Sequence, residues 1–336
     1  MAAESTGTGA GASALITGRT NWHAELEERL AQFESQQAAI LFPTGFAANV
    51  GSIGAFVELG DTVFSDRLNH ASLVDGCRLS GAQVRIYEHL DLEDLETGLK
   101  GAATCRRRLI VTDSLFSMDG DAAPLSELCD LAERYDSLLL IDEAHATGLF
   151  GQHGRGLAES MQVEDRIDVR VGTLSKALGS LGGFVSGPHT LIDWLWNKAR
   201  TQTFSTALPP SACAAAAAAL DIIEREPWRR DHVHELAGRL RGQLQASGVP
   251  LVPQGVGPIF PIVLSDPRSA LAAAAELECS GFLVAAIRPP SVPQGTSRLR
   301  ITLNCAHSAE DVDRLAELLA EILSGAAQTH PQSAAN

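Results

Sequence analysis

Leu138-Leu139-Leu140-Ile141-Asp142-Glu143-Ala144-His145 and Val169-Arg170-Val171-Gly172-Thr173-Leu174-Ser175-Lys176 are the two stretches whose reading decides the fold. In each, a short apolar run of strand type ends abruptly in residues that can ionise. Working outward, strand-like runs recur at Ala38 to Phe42, Thr62 to Ser65, Gln83 to Glu88, Leu109 to Thr112 and Gly183 to Ser186. Helical patterns lie between them. Pro124 to Tyr135 places Leu125, Leu128, Leu131 and Ala132 on one face, with Pro124 at a tolerated first-turn position. Asp91 to Leu99 does the same with Leu92, Leu95 and Leu99. Strands alternating with helices are the signature of βα units, so the expected class is α/β with a large, mostly parallel sheet.

The texture changes at Ser211, where an alanine-rich helix begins that ends near Glu226-Pro227. A second long helix, about Trp228 to Ala246, precedes a Pro/Gly-rich stretch, Val249 to Pro258. Strand candidates Ile259 to Leu264, Leu283 to Ile287 and Arg298 to Leu303 then alternate with helices Ala270 to Glu278 and Ala309 to Leu323. The expected layout is a large domain over residues 15–221 and a smaller α/β domain over 222–325, with poorly ordered ends at 1–14 and 326–336.

A chain of 336 residues is long enough for one large domain and a smaller one. The net charge of -15 argues against non-specific nucleic-acid binding, which uses Lys and Arg to displace counterions from phosphates. No run approaches the ~18 apolar residues of a membrane span. The start, Met1 to Ser13, has no basic segment followed by an apolar one, so no secretory signal is read. The six cysteines are scattered without a C-x-x-C pair, which favours reduced thiols in a cytosol over zinc ligands or disulfides. The expectation is a cytoplasmic protein with no metal, no nucleic acid and no membrane among its partners.

In open α/β sheets, ligands bind outside the carboxyl ends of the strands, which is where Asp142, Thr173 and Lys176 stand. An acid and an amine in that position suit pyridoxal phosphate. Its aldehyde binds an amine, and its ring nitrogen must stay protonated for the ring to act as an electron sink. At ~3 Å and an effective dielectric near ~20, a carboxylate favours that proton by on the order of 5 kcal/mol. Thr44-Gly45-Phe46-Ala47-Ala48-Asn49 sits where a strand passes into a helix, so Gly45 and Phe46 can present backbone N–H groups to a phosphate. His70, in Asn69-His70-Ala71-Ser72, suits stacking on the ring. Ser117, in Phe116-Ser117-Met118-Asp119-Gly120, is a third polar residue after a strand. Each also has a plain structural reading: Asp142 as a helix N-cap, Lys176 as a solvated charge, Gly45 and His70 as capping residues, Ser117 as a turn. Asp142 to His145 also spells a helicase motif, but the chain has no Gly-Lys dipeptide and hence no phosphate loop of that class.

Taken together, these segments resemble the α-oxoamine synthases, fold-type I pyridoxal-phosphate enzymes that join an amino acid to an acyl thioester and lose CO2. The resemblance runs from about Gly7 to about Leu323 and includes a further motif, Ala286-Ile287-Arg288-Pro289-Pro290. The continuation through Ser291-Val292-Pro293, followed by Arg298-Leu299-Arg300, is most similar to the members that condense L-alanine with a pimeloyl thioester in biotin biosynthesis.

The resemblance implies a fold-type I architecture with a large sheet domain, helices on both faces and a smaller C-terminal domain. It implies that Lys176 binds the cofactor aldehyde and serves as base at the substrate Cα, while Asp142 pairs with the ring nitrogen. His145 and Ser117 then face the phenolic oxygen, and His70 stacks on the ring and helps polarise the acyl carbonyl. Gly45, Phe46 and Thr173 take the phosphate, and Thr206 reaches the phosphate of the partner subunit in a homodimer with sites at its interface. Arg288 and Ser291 lie at the substrate, Arg288 as a bidentate carboxylate clamp; its plain reading is a surface arginine ahead of a proline turn. Family members carry a further N-terminal segment with an Asn-Tyr-Leu-Gly type motif, which is found nowhere in this sequence. Two other readings stay open. One is a sister condensation of the glycine C-acetyltransferase, 5-aminolevulinate synthase or sphingoid-base synthase type; the other is a non-catalytic subunit that keeps the fold.

Overall fold

The computed structural model describes residues 2–252 and 255–329. The chain divides into two compact units, Met1–Phe116 with Ala123–Pro227, and Ser117–Ala122 with Trp228–Asn336. The first unit is built on a seven-stranded sheet. Its strands are β1 (Ala38–Phe42), β2 (Thr62–Asp66), β3 (Gln83–Tyr87), β4 (Arg108–Asp113), β5 (Leu138–Asp142), β6 (Val169–Thr173) and β7 (Gly183–Gly187). They lie in the order β1-β7-β6-β5-β4-β2-β3. β3, β2, β4, β5 and β6 run parallel, and β7 runs antiparallel to both its neighbours.

The central strands are rich in apolar residues because both faces of the sheet are covered there, whereas the edge strand β3, Gln83–Tyr87, is largely exposed. Ile40 and Phe42 point into a core shared with Val111, Leu140, Val171 and Val185, closed by Ile53 of helix Gly45–Phe56 and Leu195 of helix His189–Lys198. Their neighbours Ala39 and Leu41 face the opposite core, closed by Leu26 and Leu30 of helix Asn21–Phe33 and Leu220 of helix Pro210–Arg225. Fully burying each such leucine or isoleucine is worth roughly 1.5–3 kcal/mol. The pairing register sets Phe42 opposite Gly183, Gly183 opposite Thr173, and Asp113 opposite Asp142. The carboxyl ends of β1, β4, β5 and β6 therefore share one edge with the amino end of β7.

The second unit holds an antiparallel sheet of β8 (Ile259–Ser265), β9 (Ala285–Ile287) and β10 (Ser297–Thr302), in the order β8-β10-β9. Its core joins Phe260, Ile262 and Leu299 to Leu240, Leu277 and Leu319 of helices Trp228–Ala246, Pro267–Cys279 and Ala309–Thr329. Ser117–Ala122 belongs to this unit although it is distant in sequence. Arg300 Nε donates to the Ser117 carbonyl at 2.6 Å, and Arg298 Nη1 donates to the Met118 carbonyl at 3.1 Å and pairs with Asp119 at 2.6 Å. Gly120 has φ +71°, and a Cβ there would lie 2.7 Å from the Ile259 carbonyl, so only glycine fits without strain.

The texture of the sequence put the change of domain at residue 222. Helix Pro210–Arg225 runs on past it, and the units part after Pro227, where the proline ring cannot continue a helix. The start of the chain, expected to be poorly ordered through residue 14, contains a short helix, Ala2–Thr6, and Ser13 pairs with Thr206. At the other end the last helix reaches Thr329, and residues 330–336 of the expected tail lie outside the described residues. All six cysteines are free; burial pushes the Cys77 and Cys213 thiols up to about 12. Among the described residues, no helix is long and apolar enough to cross a membrane.

Candidate active site

The shared strand edge carries the polar residues. β1 ends at Phe42 and the chain turns through Thr44, whose side chain accepts the Ala47 N–H at 3.0 Å and caps helix Gly45–Phe56. The cap leaves the Gly45 and Phe46 N–H groups as first-turn donors at the positive end of the helix dipole. Gly183 explains how β7 approaches so closely: a Cβ there would lie 2.6 Å from both Gly45 Cα and the Thr44 carbonyl. A Cβ on Gly45 would stand 3.2 Å from Thr173 Oγ1, so the Thr173 hydroxyl borders the helix start. That hydroxyl donates to the Gly182 carbonyl at 3.0 Å and lies 2.8 Å from Ser175 Oγ. The Leu174 N–H also reaches the Gly182 carbonyl, and the Ser180 N–H reaches the Leu174 carbonyl. The loop bearing Lys176 is thus closed on itself, while the Lys176 residue is exposed.

Asp142, at the end of β5, is buried and well supplied with donors. Its Oδ1 accepts the Ala144 N–H at 2.8 Å and its Oδ2 accepts Asn49 Nδ2 at 2.6 Å. The helix-cap reading of Asp142 thus describes one oxygen only, and a carboxylate retains further lone pairs for a ligand. Asn49 also donates to Ser72 Oγ at 2.9 Å, which lies 2.7 Å from His70 Nδ1. His70 is the N-cap of helix Ala71–Leu79, its ring accepting the Ser72 N–H. The residue is exposed, yet its ring is enclosed enough that desolvation holds its pKa below the ordinary value. The Asp142 charge opposes that shift and the Lys176 charge adds to it.

Asp113, opposite Asp142 at the end of β4, accepts the His70 backbone N–H at 2.6 Å. Burial and then the Asp142 charge push its carboxyl well up, against the His70 hydrogen bond and the Lys176 charge. Lys176 and Asp142 each act electrostatically on both His70 and Asp113, which places the four groups in one field.

Glu143 has a different task. Buried, it accepts from Ser114 Oγ at 2.6 Å and from the Leu157 and Ala158 N–H groups, stapling the turn that follows β5 to the next helix. His145 lies half-buried within that turn. Thr206 is exposed beside Phe204, outside the hydrogen-bonded cluster. Ser117, Arg288 and Ser291 belong to the second unit. Ser117 is held there through its carbonyl, and Arg288 and Ser291 are exposed, joined by the Ser291 N–H to the Arg288 carbonyl. A separate cavity of about 660 Å³ opens at the amino ends of the strands, but Arg106 and Arg166 on its wall are committed to Asp61, Glu58, Asp130 and Glu133.

Asn49, Ser72 and Asp113 were given no role from the sequence. Asn49 and Ser72 stand inside the motifs around Gly45 and His70, and Asp113 ends an apolar run just as Asp142 does, so the signal was present.

The model of the class I and II aminotransferases matches residues 1–319. This chain belongs to that family. Among family members, an 8-amino-7-oxononanoate synthase of Anaeromyxobacter sp. (strain K) is 50% identical over 98% of this chain and 82% of that protein. One from Alkalilimnicola ehrlichii is 47% identical over 96% of this chain and 82% of its own length. Among solved structures, Sphingomonas wittichii serine palmitoyltransferase superposes with a TM-score of 0.93 at 33% identity, covering 98% of this chain and 83% of that one. The Francisella tularensis 8-amino-7-oxononanoate synthase gives 0.83 at 26% identity, covering 96% and 91%. Within the aminotransferase family, the chain is of the α-oxoamine synthase kind and has the fold-type I architecture.

Proposed function

We propose that this chain uses pyridoxal phosphate to condense L-alanine with a pimeloyl thioester, losing CO2 and giving 8-amino-7-oxononanoate for biotin biosynthesis. The observation that carries this reading is the single electrostatic cluster of Lys176, Asp142 and His70 at the strand edge, in a chain half identical to proteins of that name. The residues suit the cofactor group by group. An exposed amine suits the aldehyde, a buried carboxylate with spare lone pairs suits the ring nitrogen, and a capped helix start beside a threonine hydroxyl suits the phosphate.

When bound, pyridoxal phosphate supplies the electron sink for negative charge at the substrate Cα. Lys176 holds the aldehyde and then takes and returns the Cα proton. Asp142 keeps a proton on the ring nitrogen, and Asn49 and the Ala144 N–H hold Asp142 in place for that task. Gly45, Phe46 and Thr173 bind the phosphate, His145 and Ser117 the phenolic oxygen, and Arg288 with Ser291 the substrate carboxylate. His70 is neutral near pH 7 and polarises the acyl carbonyl. The active form is a homodimer in which Thr206 reaches the phosphate of the partner subunit.

The test is to load the protein with pyridoxal phosphate and add L-alanine with pimeloyl-coenzyme A or the pimeloyl carrier protein. The expected result is 8-amino-7-oxononanoate with one CO2 per turnover, and a loss on the order of 10³-fold in Lys176→Ala. Turnover with glycine or L-serine alone would move the chain to a sister activity. Absence of turnover and of any amino-acid-induced absorbance change would leave a non-catalytic subunit.

A further inference from the structure

Two donors converge on one nitrogen of His70. The Ser72 backbone N–H reaches Nδ1 at 3.2 Å and the Ser72 hydroxyl lies 2.7 Å from it. A backbone N–H can only donate, so Nδ1 offers its lone pair, and the neutral ring carries its proton on Nε2. The hydroxyl must then donate to Nδ1 as well. It accepts in turn from Asn49 Nδ2 at 2.9 Å, and the same amide nitrogen donates to Asp142 Oδ2 at 2.6 Å. Flipping the Asn49 amide would set its oxygen against the Asp142 carboxylate, so every direction in the chain is determined. Asn49, Ser72 and Asp142 are 1%, 1% and 5% exposed, so water competes little for these bonds.

We propose that Asn49 and Ser72 are positioning residues that lock His70 in its neutral Nε2–H tautomer and tie it to Asp142. Resting on the proposed acyl transfer, the consequence is a division of labour. His70 acts as a hydrogen-bond donor through Nε2 toward a carbonyl or carboxylate oxygen of the substrate, and it does not take the Cα proton, which falls to Lys176. Protonating Nδ1 would turn its new N–H against the Ser72 N–H, so the ring stays neutral to lower pH than a free histidine. The charged groups facing the ring act in opposite senses: Asp142 on β5 favours the imidazolium and Lys176 after β6 disfavours it. Asp113 at the end of β4 is engaged by the backbone N–H of His70.

Histidine ¹⁵N NMR on the cofactor-free chain reads the tautomer directly, with His70 assigned by its loss in His70→Asn. The expected spectrum at neutral pH shows Nδ1 unprotonated and Nε2 protonated. Ser72→Ala removes one donor and raises the His70 titration midpoint by about one pH unit, whereas Ser72→Thr keeps the hydroxyl and restores it. Asn49→Leu frees the hydroxyl to turn and shifts the midpoint the same way. In the loaded enzyme, kcat falls about tenfold in Ser72→Ala, the equivalent of one hydrogen bond, and recovers in Ser72→Thr. A wild-type ring protonated on Nδ1 overturns the proposal, as does a Ser72→Ala protein whose His70 tautomer and midpoint match wild type. If Ser72→Ala does not fold, the wild-type tautomer and the Asn49→Leu midpoint decide the matter. A chain with the expected spectra that makes no 8-amino-7-oxononanoate keeps the positioning and overturns the proposed function instead.

Discussion

Asp113 and Asp142 end neighbouring strands opposite one another, where adjacent backbones stand about 4.8 Å apart. A charged Asp142 disfavours ionisation of its buried neighbour Asp113. Asp142 accepts from the Ala144 N–H and from Asn49, whereas Asp113 is pushed well up by burial and by the Asp142 charge. Asp113 is therefore the carboxyl that its surroundings hold toward the protonated form. Asp113→Asn puts a neutral amide where the carboxyl is held toward its neutral form, and its kcat is expected to stay within about threefold of wild type, since the amide oxygen can still accept the His70 N–H. Asp142→Asn removes the charge proposed to face the ring nitrogen and is expected to cost on the order of 10²-fold or more. Steady-state rates of the two variants decide; equal losses would mean that the carboxylates share the task.

Between elements, a single cation links helix Asn21–Phe33 to the sheet. Arg170 of β6 pairs with Glu34, just past that helix, at 3.3 Å and with Glu164 at 2.9 Å. Burial still pushes the Glu34 carboxyl up to about 7, with the Glu143 and Glu164 charges adding and Arg170 opposing. A folded-state pKa above the unfolded value means that the contribution to stability is fully present below about pH 4.5. It is lost as pH rises through about 7 and amounts to on the order of 3 kcal/mol. Thermal unfolding across that range should show wild type losing several degrees relative to Glu34→Gln. Parallel curves would refute the assignment. A second contact between elements is the approach of β7 to helix Gly45–Phe56. In Gly183→Ala the new methyl meets backbone atoms that cannot yield, so the helix start must move. Cofactor titration by absorbance should show binding weakened by on the order of tenfold, with the far-UV signal of the fold retained; unchanged affinity would remove the helix start from the site.

For the whole molecule, the division into two units decides where the segment carrying Ser117 belongs. The segment carrying Ser117 leaves the first unit and is held by Arg298 and Arg300 of β10 in the second. The Arg298-Leu299-Arg300 run thus holds that segment within the second unit. Ile16 and Phe204 are 74% and 72% exposed, apolar surface of the kind that a partner subunit covers. Sedimentation equilibrium is expected to give the mass of two chains at micromolar concentration, and Phe204→Asp to shift it toward one. A monomeric wild type that is fully active would overturn the interface role given to Thr206.

Seven strands were legible because a buried sheet favours short apolar runs, and helices such as Leu92–Lys100 and Leu125–Arg134 because a helix packed on one face demands apolar residues at three- and four-residue spacing, whereas Asn21–Phe33, Ala71–Leu79 and His189–Lys198 were not read. The acid and the amine at strand ends were legible for the same reason, since an ionisable residue interrupts an apolar run visibly. The sequence by itself thus determined an α/β chain with Asp142 at the end of one strand and Lys176 just past the end of the next. Only the tertiary structure decided the reversal of β7, the transfer of Ser117–Ala122 to the second unit, and the hydrogen-bonded chain from Asp142 through Asn49 and Ser72 to His70. Asn49 and Asp142 are 93 residues apart, and a bond between such distant positions leaves no local pattern because only the folding of the sheet brings them together.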